Sequence, residues 1–263
     1  MAFTRVNGGT VHFASEGAIG APSLVFINSL GTDFRIWDDI VAPLANRHRI
    51  LRYDKRGHGL SELIAGDATM TDYARDLAAL MDERRVKSAS IIGLSIGGLI
   101  AQELYRQRPD LVASVILCDT GVKIGTDEMW ANRIAEIEKG GLDAIADGVM
   151  QRWFSADFRA NRGIELAGWR AMLTRTPVAG YLQACGALRH ADLRPYAGAI
   201  KVPTLCVVGD EDGSTPVPMV REMSKLIGRA KFEIIVGAGH LPNLEKPDVL
   251  RLLIETHLKE ALP

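Results

Sequence analysis

One stretch, Ile91-Ile92-Gly93-Leu94-Ser95-Ile96-Gly97-Gly98-Leu99-Ile100, limits what this chain can fold into more than any other. Ala89 to Leu94 is short and continuously apolar, which suits a buried strand, while Leu99 to Tyr105 carries its Leu and Ile residues at helical spacing. Ser95 therefore stands where a strand gives way to a helix. Gly93, Ser95 and Gly97 form G-x-S-x-G, whose small flanks permit a sharp reversal that holds the serine in strained backbone with its hydroxyl at the end of a sheet. Gly98 adds room for close helix-to-strand packing. The helix starting beside the serine turns its free N–H groups toward any oxyanion formed there. The same five residues also describe a chance glycine-rich turn in a βα unit, so the remaining chain has to decide between them.

The remaining chain alternates strands with helices. Phe3 to Val6 and Val11 to Ala14, joined through Asn7-Gly8-Gly9, read as a hairpin. Leu24 to Asn28, Ile50 to Asp54 and Val112 to Cys118 read as strands, the first and last apolar enough to be covered on both faces. Between them lie an amphipathic helix through Ile36, Trp37, Ile40, Val41 and Leu44, and another opening with capping chemistry at Thr71 and packing through Leu77, Leu80 and Met81. This rhythm predicts a mainly parallel sheet with helices on both faces. It stops after the sixth strand. Residues 121–197 contain helical patterns only, including Trp130, Ile134 and Ile137, then Ile145, Val149 and Trp153. The expectation is a helical cap over 121–197, inserted into a core domain of residues 1–120 and 198–263 and lying over Ser95. Thr204 to Val208 restores the rhythm, a helix opens at Thr215-Pro216, and Phe232 to Val236 is the eighth strand.

Composition excludes several functions. A formal net charge of -1 with no basic run argues against nucleic acid or an anionic membrane as partner. The N-terminus lacks an apolar signal core and no segment approaches the roughly 18 apolar residues of a membrane span, so a soluble cytoplasmic protein is expected. Three cysteines, Cys118, Cys185 and Cys206, lack metal-like spacing and read as buried thiols; no metal or cofactor is expected.

A serine hydroxyl needs a base and a third group that holds the base's tautomer. Among six histidines, His240 is the candidate base, because Gly237 and Gly239 free its loop at the exit of the last strand. His58, between two glycines, reads as structural. Asp119, Asp210 and Asp212 all follow strands; Asp212 is best placed, a few residues past its strand, and Asp119, beside the elbow, is its rival. Two N–H donors for an oxyanion are expected from Ile96, next to the serine, and Leu30, after the Phe26-Ile27 strand.

With Ser95, Asp212 and His240 in that chain order, with Asp54-Lys55-Arg56-Gly57-His58-Gly59-Leu60-Ser61, and with Gly209-Asp210-Glu211-Asp212 and Gly239-His240, the chain resembles the α/β-hydrolase superfamily over nearly its whole length. Within it, Asn28-Ser29-Leu30-Gly31-Thr32-Asp33 followed by Trp37, Leu51-Arg52-Tyr53-Asp54, Gly93 to Gly98, and Cys118-Asp119-Thr120-Gly121 through Trp130 are most similar to the 3-oxoadipate enol-lactone hydrolases of bacterial aromatic catabolism. Many superfamily members carry His-Gly where this chain has Asn28-Ser29, so the donor loop is assigned by position. The resemblance implies an eight-stranded α/β-hydrolase fold and cofactor-free opening of a small lactone. It also implies a cation for the substrate carboxylate, for which Trp130 and Arg133 on one cap helix are candidates; cap core and solvated charge are the competing readings of these two. A carboxylesterase or carbon–carbon bond hydrolase of the same fold, and a non-catalytic receptor scaffold, are the alternatives.

Overall fold

The computed structural model describes residues 1–261. Asn7 and Gly8 both take positive φ, 47° and 89°, the handedness a two-residue hairpin turn needs to match strand twist. Across that turn β1 (Ala2–Val6) pairs antiparallel with β2 (Gly9–Glu16). The other strands are β3 (Ser23–Ile27), β4 (Arg49–Tyr53), β5 (Ala89–Leu94), β6 (Val112–Cys118), β7 (Thr204–Gly209) and β8 (Lys231–Ile235). They form one eight-stranded sheet in the order β1-β2-β4-β3-β5-β6-β7-β8. β2 meets β4 antiparallel, and β3 through β8 are parallel. All six residues of β5 and of β7 are buried, as strands covered on both faces must be, and this is why they read as unbroken apolar runs.

The order places the crevice. From β3 the chain runs through α1 (Asp38–Leu44) to β4 on one side, then through α2 (Met70–Glu83) back past β3 to β5 on the other. Right-handed crossovers taken in opposite directions put α1 and α2 on opposite faces. The exits of β3 and β5 are thus where the winding reverses, and in such sheets the ligand crevice opens there. The helix α3 (Ile96–Gln107) follows β5 and packs on α2, while α1 packs on α11 (Pro247–Ala261) of the C-terminal segment. The capping chemistry expected at Thr71 belongs to Thr69. Its N–H and hydroxyl both donate to Asp72, at 2.8 and 2.6 Å, because only a residue three positions on reaches back to the cap.

Between β6 and β7 there are only helices: α4 (Asp127–Trp153), α5 (Ala156–Asn161), α6 (Gly163–Thr174), α7 (Val178–His190) and α8 (Arg194–Ala197). Gly141, at φ 66° and ψ −169°, breaks α4 in two, so the two apolar series read along it lie on separate helical halves. α4 packs on α6 and α7. The layer meets the core at a backbone-to-backbone contact: a Cβ on Gly57 would lie 2.6 Å from the Gly180 Cα, and one on Gly180 2.6 Å from the Gly57 carbonyl carbon. The core is completed by α9 (Val217–Leu226) beside β7 and by the short α10 (Pro242–Glu245). Among the described residues no helix is long and apolar enough to cross a membrane, and the three cysteines are free and buried.

Candidate active site

Ser95 caps α3 with φ 59° and ψ −119°, a left-handed conformation worth about 1–3 kcal/mol of strain for a non-glycine residue. The surroundings hold it there. Its N–H donates to the Cys118 carbonyl at 3.0 Å, and the Thr120 hydroxyl donates to its carbonyl at 2.7 Å. A Cβ on Gly93 would strike the Gly97 backbone, and one on Gly97 the Ile27 carbonyl. The glycines of the motif are therefore what lets α3 sit directly on the ends of β5 and β3. As the first residue of α3, Ile96 has no carbonyl one turn back to bond its N–H.

The loop leaving β3 lies alongside, since Ile27 is in register with Gly93. Asn28 anchors it by donating to the Thr32 carbonyl and to Thr32 Oγ1, and the Thr32 hydroxyl in turn donates to the Ser29 carbonyl at 2.8 Å. This network is how the chain closes the loop with Asn28-Ser29. Leu30 is buried, and no hydrogen bond among the described residues uses its N–H. Gly31 (φ 72°) passes beneath the helical layer: a Cβ there would meet Leu173 Cδ1 at 2.6 Å and Tyr181 Cε2 at 2.9 Å.

On the far side, Asp212 and His240 are brought together. His240 Nδ1 lies 2.9 Å from Asp212 Oδ2, both side chains buried. An ionised carboxylate only accepts, so the ring proton sits on Nδ1 and leaves Nε2 as the basic nitrogen. Asp212 Oδ1 accepts from the Ser214 and Thr215 N–H groups at 2.7 and 3.0 Å, and Oδ2 also from the Thr215 hydroxyl at 2.5 Å. Burial pushes this carboxyl up, but His240 and Thr215 outweigh it and hold it below the usual carboxylate value. Thr215, read in the sequence as the start of a helix, is spent on Asp212, and α9 begins at Val217 behind Pro216. Both loops hang from the end of α4. The Arg152 and Trp153 carbonyls, orphaned at a helix C-terminus, accept from Gly213 N–H and Leu241 N–H at 3.3 Å each. Gly239 is needed here, because a Cβ on it would lie 2.6 Å from the Trp153 carbonyl.

The rivals have other duties. Asp210 accepts from the Gly237 N–H at 2.7 Å and braces the His240 loop. His58 is buried in its own loop with Nδ1 on the Arg56 carbonyl. Asp119 (φ 47°) accepts from Gly209 N–H at 2.9 Å through Oδ1, and Oδ2 has no partner among the described residues. Burial, then the neighbouring Asp212 charge, push its carboxyl well up, toward the neutral acid. Ligand-type atoms of Asp119, Asp212 and His240 lie within 4.8 Å of one another. The hydrogen bonds above already account for Asp212 and for one oxygen of Asp119, so the cluster fits a hydrogen-bonded network better than a cation cage.

Trp130 is buried, with Nε1 donating to the Ile124 carbonyl at 2.7 Å, and it supports the Arg133 guanidinium 5.2 Å above its ring. Arg152 is the residue the sequence did not disclose. Burial first, and the like charge of Arg133 second, hold its guanidinium below its ordinary value. The same two arginines act electrostatically on Tyr181, the ring above Gly31. Neither has a carboxylate within salt-bridge distance among the described residues. A cavity of about 810 Å³ lies elsewhere, between the N-terminal hairpin and α6, lined by His12, Phe34, Trp169 and Met172 but by neither Ser95 nor His240. The chemistry sits with the residues, not with that volume.

Comparison with known proteins places the fold. The family model for the alpha/beta hydrolase fold matches residues 22–247. The chain is 34% identical over 245 residues to 3-oxoadipate enol-lactonase 1 of Acinetobacter baylyi, covering 93% of this chain and 91% of that protein. Among solved structures it is similar to the enol-lactonase from Burkholderia xenovorans LB400, with TM-score 0.95 and 36% identity over 98% of this chain and 100% of that one. It is also similar to a thermophilic esterase from Thermogutta terrifontis, with TM-score 0.93 and 27% identity over 100% of both chains.

Proposed function

This chain belongs to the alpha/beta hydrolase fold family and is an ester-hydrolysing enzyme, and from that premise we propose that it opens 3-oxoadipate enol-lactone to 3-oxoadipate in the breakdown of aromatic compounds, with Ser95, His240 and Asp212 as its catalytic triad. The buried 2.9 Å pair of His240 and Asp212, at the sheet edge that also carries Ser95, is the observation that carries the triad. The likeness to two enol-lactonases supports the substrate.

In this reading Ser95 Oγ attacks the lactone carbonyl as His240 Nε2 takes its proton. The Leu30 and Ile96 N–H groups, both without hydrogen-bond partners among the described residues, receive the oxyanion. Collapse breaks the ring C–O bond. The leaving oxygen departs as an enolate still tethered to the acyl chain and takes up the proton held by His240. Water, deprotonated by the same nitrogen, then attacks the acyl-enzyme; its hydroxyl becomes part of the released acid and its proton returns to Ser95. Arg133 and Arg152, with no carboxylate within salt-bridge distance among the described residues, supply charge for the carboxylate of the substrate. The substrate is a small molecule, and neither a cofactor nor a metal enters any step.

Ser95→Ala tests the reading. The variant is expected to keep the wild-type melting temperature and lose turnover of the enol-lactone by at least about a thousandfold; retained turnover overturns the nucleophile. The similarity to an esterase favours a second reading, a carboxylesterase, which holds if simple aryl esters outpace the lactone in kcat/KM.

A further inference from the structure

A lysine sealed beneath the β3 exit loop has no place in the steps above. Lys55 is 1% exposed, and its Nζ donates to the Ser29 carbonyl at 2.6 Å and approaches the Asn28 carbonyl at 3.5 Å. No carboxylate lies within salt-bridge distance of it among the described residues. Ser29 is buried as well. The Ser29 carbonyl belongs to the same peptide group as the Leu30 N–H. That peptide is trans, and in a planar trans peptide the C=O and N–H point in opposite directions. With its oxygen turned down onto Lys55 and Thr32, the unit presents the Leu30 N–H upward into the crevice.

We propose that Lys55 is the positioning residue of the oxyanion hole: it fixes the Ser29–Leu30 peptide with its N–H facing Ser95, and its charge behind that peptide strengthens the donor. A charge-assisted hydrogen bond to the carbonyl polarises the whole amide, drawing electron density from N–H to C=O. Negative charge developing on the far side of the peptide is then met by a more positive N–H and by a buried cation one peptide away, in a setting that screens neither. The inference rests on the roles assigned above to Ser95 and Leu30.

Retaining an ammonium here opposes its solvation. Burial pushes the Lys55 amine down to about 7, against the pull of Asp54 and Asp33. His58, also buried nearby, is itself pushed down by its own burial and then by Lys55. Asp54, Asp33 and His58 are thus the titratable groups facing it. As pH rises through about 7 the amine keeps a neutral hydrogen bond but loses the charge, so the oxyanion loses that part of its stabilisation on the alkaline side.

The experiment compares wild type, Lys55→Met, Lys55→Gln and Ser95→Ala on p-nitrophenyl acetate, with phenylboronic acid as a reversible mimic of the tetrahedral adduct. Assayed below about pH 7, where the amine is charged, Lys55→Met, which keeps the shape, is expected to lower kcat roughly tenfold, less than the 10²–10³-fold that removing a donor itself costs. Its KM should stay within about twofold and its affinity for the boronate fall by the same factor as kcat. Lys55→Gln, a neutral donor, should fall between the two. Wild-type kcat/KM should decline above about pH 7 and the Met variant should lack that decline. A folded Lys55→Met with wild-type kcat and boronate affinity overturns the inference, as does a change confined to KM. If the Met variant does not fold, Lys55→Gln carries both readouts, and an unchanged kcat there has the same force. Should Ser95→Ala keep its activity, the serine mechanism falls and this inference with it; should Ser95→Ala be dead and Lys55→Met fully active, only this inference falls.

Discussion

Replacing Asp212 with Asn probes the site most sharply, because the hydrogen bonds dictate which way the new amide must face. Oδ1 of Asp212 accepts from two backbone N–H groups, Ser214 at 2.7 Å and Thr215 at 3.0 Å. An Asn has one carbonyl oxygen, and only that atom can stay on these two donors. Its NH2 group is therefore forced onto the side facing His240 Nδ1 and Thr215 Oγ1, where Asp212 Oδ2 now accepts. Two donors cannot face each other, so His240 must move its proton to Nε2, the nitrogen that has to take the Ser95 proton. The base is present but in the wrong tautomer. In enzymes with this triad the same exchange costs about 10⁴ in kcat, which at 1.36 kcal/mol per tenfold is about 5.4 kcal/mol of barrier. Asp119 does not substitute, since one oxygen is committed to Gly209 N–H at 2.9 Å and burial pushes its carboxyl toward the neutral acid. The assay is kcat for p-nitrophenyl acetate and for the enol-lactone, alongside thermal melting. The volume and the two backbone bonds survive, so the melting temperature should barely move. An Asp212→Asn enzyme that folds and keeps more than about a hundredth of wild-type kcat refutes the tautomer reasoning.

Two other substitutions separate substrate recognition from stability. Arg152→Met removes one of the two arginines near Tyr181 and should raise KM for the acidic lactone by about tenfold, the worth of one hydrogen bond to a charged group, while raising KM for neutral p-nitrophenyl acetate much less; equal effects on both would deny the arginine a role in charge recognition. Asp119→Asn tests the buried acid. Its folded pKa is raised, so the native state holds a proton the unfolded chain has released, and stability falls as pH rises from the ordinary carboxyl value upward. The variant should unfold at higher urea than wild type at pH 8, with the gap closing toward pH 4; a gap that widens on acidification would mean Asp119 is ionised in the fold.

How much of this was legible follows from the range of each interaction. The elbow could be read because strand, turn and helix preferences all act within ten residues of Ser95, and His240 and Asp212 because glycine loops and strand exits announce where a side chain can reach the sheet edge. Lys55 could not be found in that way. In Asp54-Lys55-Arg56 it reads as loop charge, and only the three-dimensional passage of the β3 exit over it makes it buried. Arg152 was hidden by Gly141, whose left-handed φ resets the helical phase, so positions before the break do not predict which way positions after it face. Thr69 and Thr215 show a smaller version of the same limit: a hydroxyl near a helix start serves whichever donor or acceptor folding brings nearest, Asp72 for one and Asp212 for the other.

The glycine-to-glycine seat of α7 on the Gly57 loop bears on how this enzyme can be rebuilt. Neither residue tolerates even a methyl group, since each Cβ would enter the other's backbone. The two positions consequently behave as a lock and its keyway. Grafting a helical layer from another hydrolase onto this sheet to change its substrate will seat only if the donor segment brings a glycine to position 180, and a graft lacking it will ride higher over Gly31 and open the roof of the site, however well its other residues suit the new ligand.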